Sequence, residues 1–133
     1  MGFEVVGLDH VQLAMPPGRE AEAEDFYCGL LGFSRIPKPE PMASRGGCWF
    51  AAGPVSLHLG VEAEFRPARK AHPALVVAGL ADLVVAARQT GLEARPNPDQ
   101  PDGAGYYLDD PFGNRIELIA AVPAPPRGPA GSP

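Results

Sequence analysis

Apolar residues along the chain recur with two periods, and the order of those periods repeats. An apolar stretch from Val5 to Met15 predicts an opening strand. Ala23, Phe26, Tyr27, Leu30 and Leu31 then fall at i, i+3, i+4, i+7 and i+8, the spacing of one helix face, and Gly32 supplies a helix stop. Two strands follow, Gly47 to Ala51 and Pro54 to Val61, turning at Gly53-Pro54. A second half opens with a strand from Ala71 to Val77. Its helix carries Leu80, Leu83, Val84 and Ala87 on one face and stops at Gly91. After a Pro/Asp/Gly-rich loop come the strand Tyr106–Leu108, the turn Asp110–Gly113 and a last strand, Asn114 to Ala120.

Each half thus reads β-α-β-β-β, with one strand in each weakly marked. A repeated supersecondary unit predicts a duplicated fold with a pseudo-twofold axis. The expected domain spans residues 3–121, with modules of about 3–62 and 70–121. The tail from Val122 to Pro133 is rich in Pro and Gly and poor in large apolar side chains, so it is expected to be disordered.

Composition narrows the function. A hydrophobic share of 45% and a charged share of 20% suit a globular domain. The net charge of −5 argues against nucleic acid, whose phosphates need a basic surface. No apolar run approaches the ~20 residues that cross a bilayer, and the start lacks a secretory pattern. Cys28 and Cys48 read as reduced thiols in a cytoplasmic protein, because a chain of this size needs no disulfide staple.

The candidate chemistry lies in the three histidines and one glutamate. Alternate strand residues share a face, so His10 lies with Gln12 and Ala14, opposite Val11 and Leu13. His58 alternates with apolar neighbours, His72 lies with Ala74 and Val76, and Glu117 shares its face with Arg115. His10 and His72 open the two halves, 62 positions apart; His58 and Glu117 close them, 59 positions apart. These are equivalent positions, and a pseudo-twofold axis predicts that all four turn toward one concave surface. Imidazole and carboxylate suit Zn, Ni, Mn or Fe(II). A lone strand histidine is ordinarily a hydrogen-bonded structural residue, and a lone strand glutamate is ordinarily solvated. Only the shared repeat positions weigh against that reading.

At these residues the chain resembles the vicinal-oxygen-chelate superfamily of glyoxalase I, bleomycin resistance proteins and extradiol dioxygenases. The resemblance is carried by Leu8-Asp9-His10-Val11-Gln12-Leu13-Ala14, by Phe26-Tyr27 with Leu31-Gly32-Phe33, and by Asp110-Pro111-Phe112-Gly113-Asn114-Arg115-Ile116-Glu117. It implies an α+β fold of two βαβββ modules forming a cupped, incomplete barrel around a divalent metal. It further implies His10, His72 and Glu117 as metal ligands, His58 at a fourth position, and a homodimer, often with exchanged modules. The function it suggests is that of a glyoxalase-like lyase or isomerase acting on a small substrate chelated through adjacent oxygens, with His58 and Glu117 in catalytic roles. Two alternatives stand beside it: a dioxygenase using Fe(II) or Mn(II), and a metal-free drug-sequestering protein of the bleomycin-resistance type. Candidate substrate contacts are Gln12, Trp49, Arg69, Lys70 and Tyr107, although surface charge alone accounts for Arg69 and Lys70, and core packing for the aromatic pair.

Overall fold

In each half the opening strand lies parallel to the closing one, and this pairing organises the fold. The computed structural model describes residues 2–121; the expectation for 122–133 lies outside them. Strand β1 (Val11–Met15) pairs parallel with β4 (Val55–Val61), which pairs antiparallel with β3 (Cys48–Ala52), and β3 with β2 (Ser34–Ile36). In the second half β5 (Ala74–Val77) pairs parallel with β8 (Arg115–Ala120). Strand β8 then pairs antiparallel with β7 (Gly105–Asp109), and β7 with β6 (Arg95–Pro96). The result is two four-stranded mixed sheets, ordered β1-β4-β3-β2 and β5-β8-β7-β6, which do not close into a barrel. The strands weakly marked in the sequence, β2 and β6, are only three and two residues long.

The register supports the repeat. Gln12 lies opposite His58, and Ala74 lies opposite Glu117, which reproduces the two sequence offsets. Each half has its helix after the opening strand. The first, α1, begins as an α-helix at Glu20–Glu24 and widens into π-helical turns over Asp25–Leu30. The second, α2, spans Leu80–Gln89. Gly32 and Gly91, just past the two helices, take φ of 80° and 88°, a left-handed conformation that costs glycine little. Among the described residues no helix is long and apolar enough to cross a membrane.

Alternation divides each sheet into an apolar and a polar face. Leu13, Met15, Phe50, Leu57 and Leu59 of the first sheet, and Leu108, Ile116 and Leu118 of the second, are buried in one core with Ala23, Phe26, Tyr27, Leu80, Val84 and Ala87 of the helices. The Tyr27 ring stacks on Phe50 at 5.3 Å, which seats α1 on the first sheet. Burial of each large side chain contributes about 1.5–3 kcal/mol.

Polar groups join the halves. Asn114, fully buried, donates from Nδ2 to the Ala14 carbonyl (2.9 Å) and to Asp110 Oδ2 (2.9 Å), while its Oδ1 accepts from the Ala68 amide (2.9 Å). Asp110 also accepts from the Phe112 and Asn114 amides and from the Tyr27 hydroxyl (2.8 Å). The Asp110–Gly113 turn thereby fixes α1, β1 and the linker together.

Two strand starts differ from expectation. The opening strands were expected from Val5 and Ala71, and pairing begins at Val11 and Ala74. With Val11 opposite Leu57, β4 ends before it can pair the segment ahead of Asp9. Phe3, Val5, Val6 and Leu8 therefore stand 80–91% exposed. In the second half Pro73 has no N–H for a ladder, and only its carbonyl is used, by the Glu117 amide (3.0 Å).

Replacing Asn114 with Ala should destabilise the protein by about 2–4 kcal/mol, because it strands buried partners on three segments at once. Urea unfolding measures this directly; a loss below about 1 kcal/mol would show that the network does not hold the halves together.

Candidate functional site

Across the polar faces, strand pairing aligns two rows of side chains. The first sheet carries Ile36, Trp49, His58 and Gln12 in register. The second carries Arg95, Tyr107, Glu117 and Ala74 in the matching places. An aromatic ring thus neighbours His58 in one module and Glu117 in the other. His10 and His72 lie just ahead of β1 and β5, two residues before Gln12 and Ala74.

The second half-site is tightly specified. His72 Nδ1 lies 3.1 Å from the Arg69 carbonyl and 3.0 Å from that of Lys70. Carbonyls only accept, so Nδ1 carries the proton and Nε2 presents its lone pair. That Nε2 lies 2.9 Å from Glu117 Oε1, and Asn97 Nδ2 holds Oε2 at 3.2 Å. Tyr107 meets the His72 ring edge-on at 5.8 Å. A lone pair and a carboxylate this close require a cation between them, either a proton or a metal ion.

The first half-site is a stack. His58 lies between Trp49 (4.0 Å, 4° between planes) and His10 (4.2 Å, 18°). His10 Nδ1 donates to Asp9 Oδ2 at 2.8 Å, which fixes the orientation of the ring. His58 is only 7% exposed. That burial, reinforced by the neighbouring charge of His10, holds its pKa below the ordinary value, so His58 is a neutral imidazole at neutral pH.

Within one chain the four residues therefore form two pairs, His10–His58 and His72–Glu117, rather than a single cluster. Among the described residues no three His, Cys, Asp or Glu side chains gather closely enough to hold an ion. A groove of about 490 Å³ between the modules has His10 on one wall and His72 on the other. Gln12 is exposed and lines an adjoining cleft with His72 and Ala68. Trp49 and Tyr107 are half-buried beside the two pairs. Arg69 is exposed, 4.0 Å from Asp109; Lys70 is exposed and serves the site through its carbonyl. Asp9, Asn97 and Arg95 also belong to this surface and were not among the expected site residues, and Arg115, expected on the face of Glu117, had been given no role. Asp9, adjacent to His10, and Arg115, two residues before Glu117, had a local signal. Both cysteines are free thiols, and burial raises the pKa of each.

Comparison with known proteins agrees with this architecture. The family model described as "Glyoxalase/Bleomycin resistance protein/Dioxygenase superfamily" matches residues 7–118. A glyoxalase family protein from Bacillus anthracis is 42% identical, with a TM-score of 0.84 over 90% of this chain and 98% of that one. The fosfomycin resistance protein FosX from Listeria monocytogenes shares the fold at 14% identity, with a TM-score of 0.69 over 90% and 97% of the two chains. A glyoxalase/dioxygenase from Nostoc punctiforme does so at 18% identity, with a TM-score of 0.69 over 90% and 98%. No curated protein matches.

Trp49 is the single tryptophan, so its emission reports the stack. An imidazolium against an indole ring quenches it, and His58 charges only below its ordinary value of 6.5. Emission should fall with a midpoint below pH 6.5, and His58→Gln should remove the transition; a midpoint at or above 6.5 would contradict the buried, neutral assignment. Stability follows the same sign. The unfolded chain takes up the proton first, so the contribution of neutral His58 is complete above the unfolded pKa and is lost as pH falls through the folded one.

Proposed function

For a chain that belongs to the glyoxalase/bleomycin resistance protein/dioxygenase superfamily, we propose a metal-dependent, glyoxalase-like lyase or isomerase, acting on a small substrate chelated through adjacent oxygens. The observation that carries this reading is His72 Nε2 set against Glu117 Oε1 at 2.9 Å, two atoms that a cation joins. The His72 tautomer is set by two carbonyls, and the carboxylate is held from behind by Asn97. Ligands prearranged by outer hydrogen bonds are typical of metal sites, and His10 with Asp9 repeats the device.

Each module offers two donors, too few for a divalent ion with open positions. The reading therefore includes a homodimer in which His10 and His58 of one protomer face His72 and Glu117 of its partner. The exposed apolar run Phe3, Val5, Val6 and Leu8, with Val76 71% exposed on edge strand β5, supports such an association. The ion would be Zn, Ni, Mn or Fe, held by His10, His72 and Glu117, with His58 as the fourth donor. When bound it would act as a Lewis acid on two adjacent substrate oxygens. His58, neutral and shielded by Trp49, is suited to take a proton from substrate as general base. Glu117, oriented by Asn97, is the other candidate proton acceptor. Trp49, Tyr107 and Gln12 would border the substrate.

A second reading has its own observation. Trp49 and His10 clamp the His58 ring between parallel planes. If that clamp holds His58 away from the ion, two histidines and one carboxylate remain, the donor set of Fe(II) oxygen chemistry, and the enzyme would be a dioxygenase using Fe(II) or Mn(II).

Metal analysis of the untagged protein tests the proposal. Roughly one divalent ion per chain is expected, lost in His10→Ala, His72→Ala and Glu117→Ala. Mixing equal amounts of His10→Ala and Glu117→Ala chains should restore about a quarter of the wild-type content, since about half of the dimers are mixed and each mixed dimer contains one intact site of two. Binding without rescue on mixing would refute the composite site. No metal uptake in the wild type would refute the metalloenzyme and leave a metal-free, drug-sequestering protein of the bleomycin-resistance type.

A further inference from the structure

Beyond the histidines, the polar face of the second sheet gathers three arginines around one carboxylate. Arg95 Nη2 donates to Asp109 Oδ1 at 3.0 Å, and Arg69 Nη1 approaches Oδ2 at 4.0 Å. Arg115 is the strand partner of Asp109 in the ladder. Its guanidinium turns away along the face and lies over the Tyr107 ring, with Cζ 5.2 Å from the centroid. Arg115 Nε is buried and has no hydrogen-bond partner among the described residues. The neighbouring chain is tied down, because the Arg115 amide donates to the Ala68 carbonyl at 2.8 Å and so delivers Arg69 to the same place.

Two features of this cluster call for an anion. Arg95 and Arg69 share the Asp109 carboxylate while Arg115 has no carboxylate partner, so three guanidiniums stand against two carboxylates, Asp109 and Glu117, in a chain whose net charge is −5. A buried donor without an acceptor is also unfavourable, and guanidinium satisfies such a position best by a forked pair of bonds to an oxyanion. We propose that Arg115, with Arg69 and the Arg95–Asp109 pair, forms an oxyanion subsite beside His72 and Glu117 for the carboxylate or phosphate group of a small anionic substrate. The cation–π contact with Tyr107 holds the Arg115 guanidinium in place.

The strand also measures the substrate. Arg115 and Glu117 are alternate residues on one face of β8, their Cα atoms about 7 Å apart at the rise of an extended chain, and the Arg115 guanidinium lies over Tyr107, the ladder partner of Glu117. The anionic group and the oxygens destined for the His72–Glu117 pair would therefore be separated by a few bonded atoms, as in a short-chain oxo or hydroxy acid or its phosphate counterpart. As an anion site the cluster stands alone; as a substrate subsite it rests on the function proposed above.

Calorimetric titration of the full chain with inorganic phosphate and with succinate tests it. The protein is stripped of metal with chelator, and ionic strength is held constant with chloride. Saturable binding is expected, weakened about tenfold or more in Arg115→Gln and clearly weakened in Arg115→Lys, which keeps the charge but not the fork. Arg69→Gln, at an exposed position with little bearing on folding, should also weaken it, and Arg45→Gln should not. Metal content measured on the same samples should be unchanged in Arg115→Gln. Arg115-dependent phosphate binding in a protein that takes up no metal would uphold the anion site while removing its metal neighbour. Absence of saturable binding, or affinity indifferent to both Arg115 and Arg69, would overturn the proposal and leave Arg115 as a packing partner of Tyr107.

Discussion

The carboxylate of Asp110 is the point on which the two halves of the molecule depend. It is only 4% exposed, and it accepts from two backbone amides, the Tyr27 hydroxyl and the Asn114 amide. Burial raises its pKa, and these hydrogen bonds draw it back. Burial, reinforced by the neighbouring carboxylate, carries the Tyr27 hydroxyl well above the ordinary phenol range, so it remains a donor. Its own partners come from α1 and the β7–β8 turn, and Asn114, which it holds, carries the network on to β1 and the linker, so the modules are joined at one site. Every other feature, including the direction each polar row faces, follows from that placement.

The pseudo-symmetry built on this joint is exact in register and broken in chemistry. Trp49 and His58 lie at the positions that Tyr107 and Glu117 hold in the second module. The first module answers with a stack of three rings, the second with an imidazole against a carboxylate. Burial keeps His58 neutral, whereas His72 Nε2 and the Glu117 carboxylate oxygen face each other at 2.9 Å. A duplicated scaffold thus carries two chemically different pairs at equivalent positions.

Charge is distributed against the average. The chain is acidic overall, yet the second sheet concentrates Arg69, Arg95 and Arg115 around Asp109. Local excess of one sign on a partly desolvated face acts more strongly than the same charges scattered in water, because screening is weaker there. The conflict between net charge and local charge is visible only once the strands are paired.

By itself the sequence determined the repeat, both helices and the order of elements along the chain, and it singled out four residues of interest, because all of these rest on local period and on equivalent spacing. His10, His58, His72 and Glu117 were legible since a strand face alternates every second residue, and the registers reproduce their offsets of 62 and 59. The sequence also carried the Asp110–Asn114 turn, though not its role in joining the modules. Where pairing starts was decided by the tertiary structure, since a strand needs a partner and β4 offers none to residues ahead of Asp9. The same holds for Asn97, Arg95 and Arg115, which acquire meaning from side chains 14 to 20 residues away in the chain or across a ladder. The division of four ligand candidates into two pairs belongs to that class as well. Periodicity states which side a residue faces, whereas the distance between two faces depends on how the modules dock, and no local pattern encodes that.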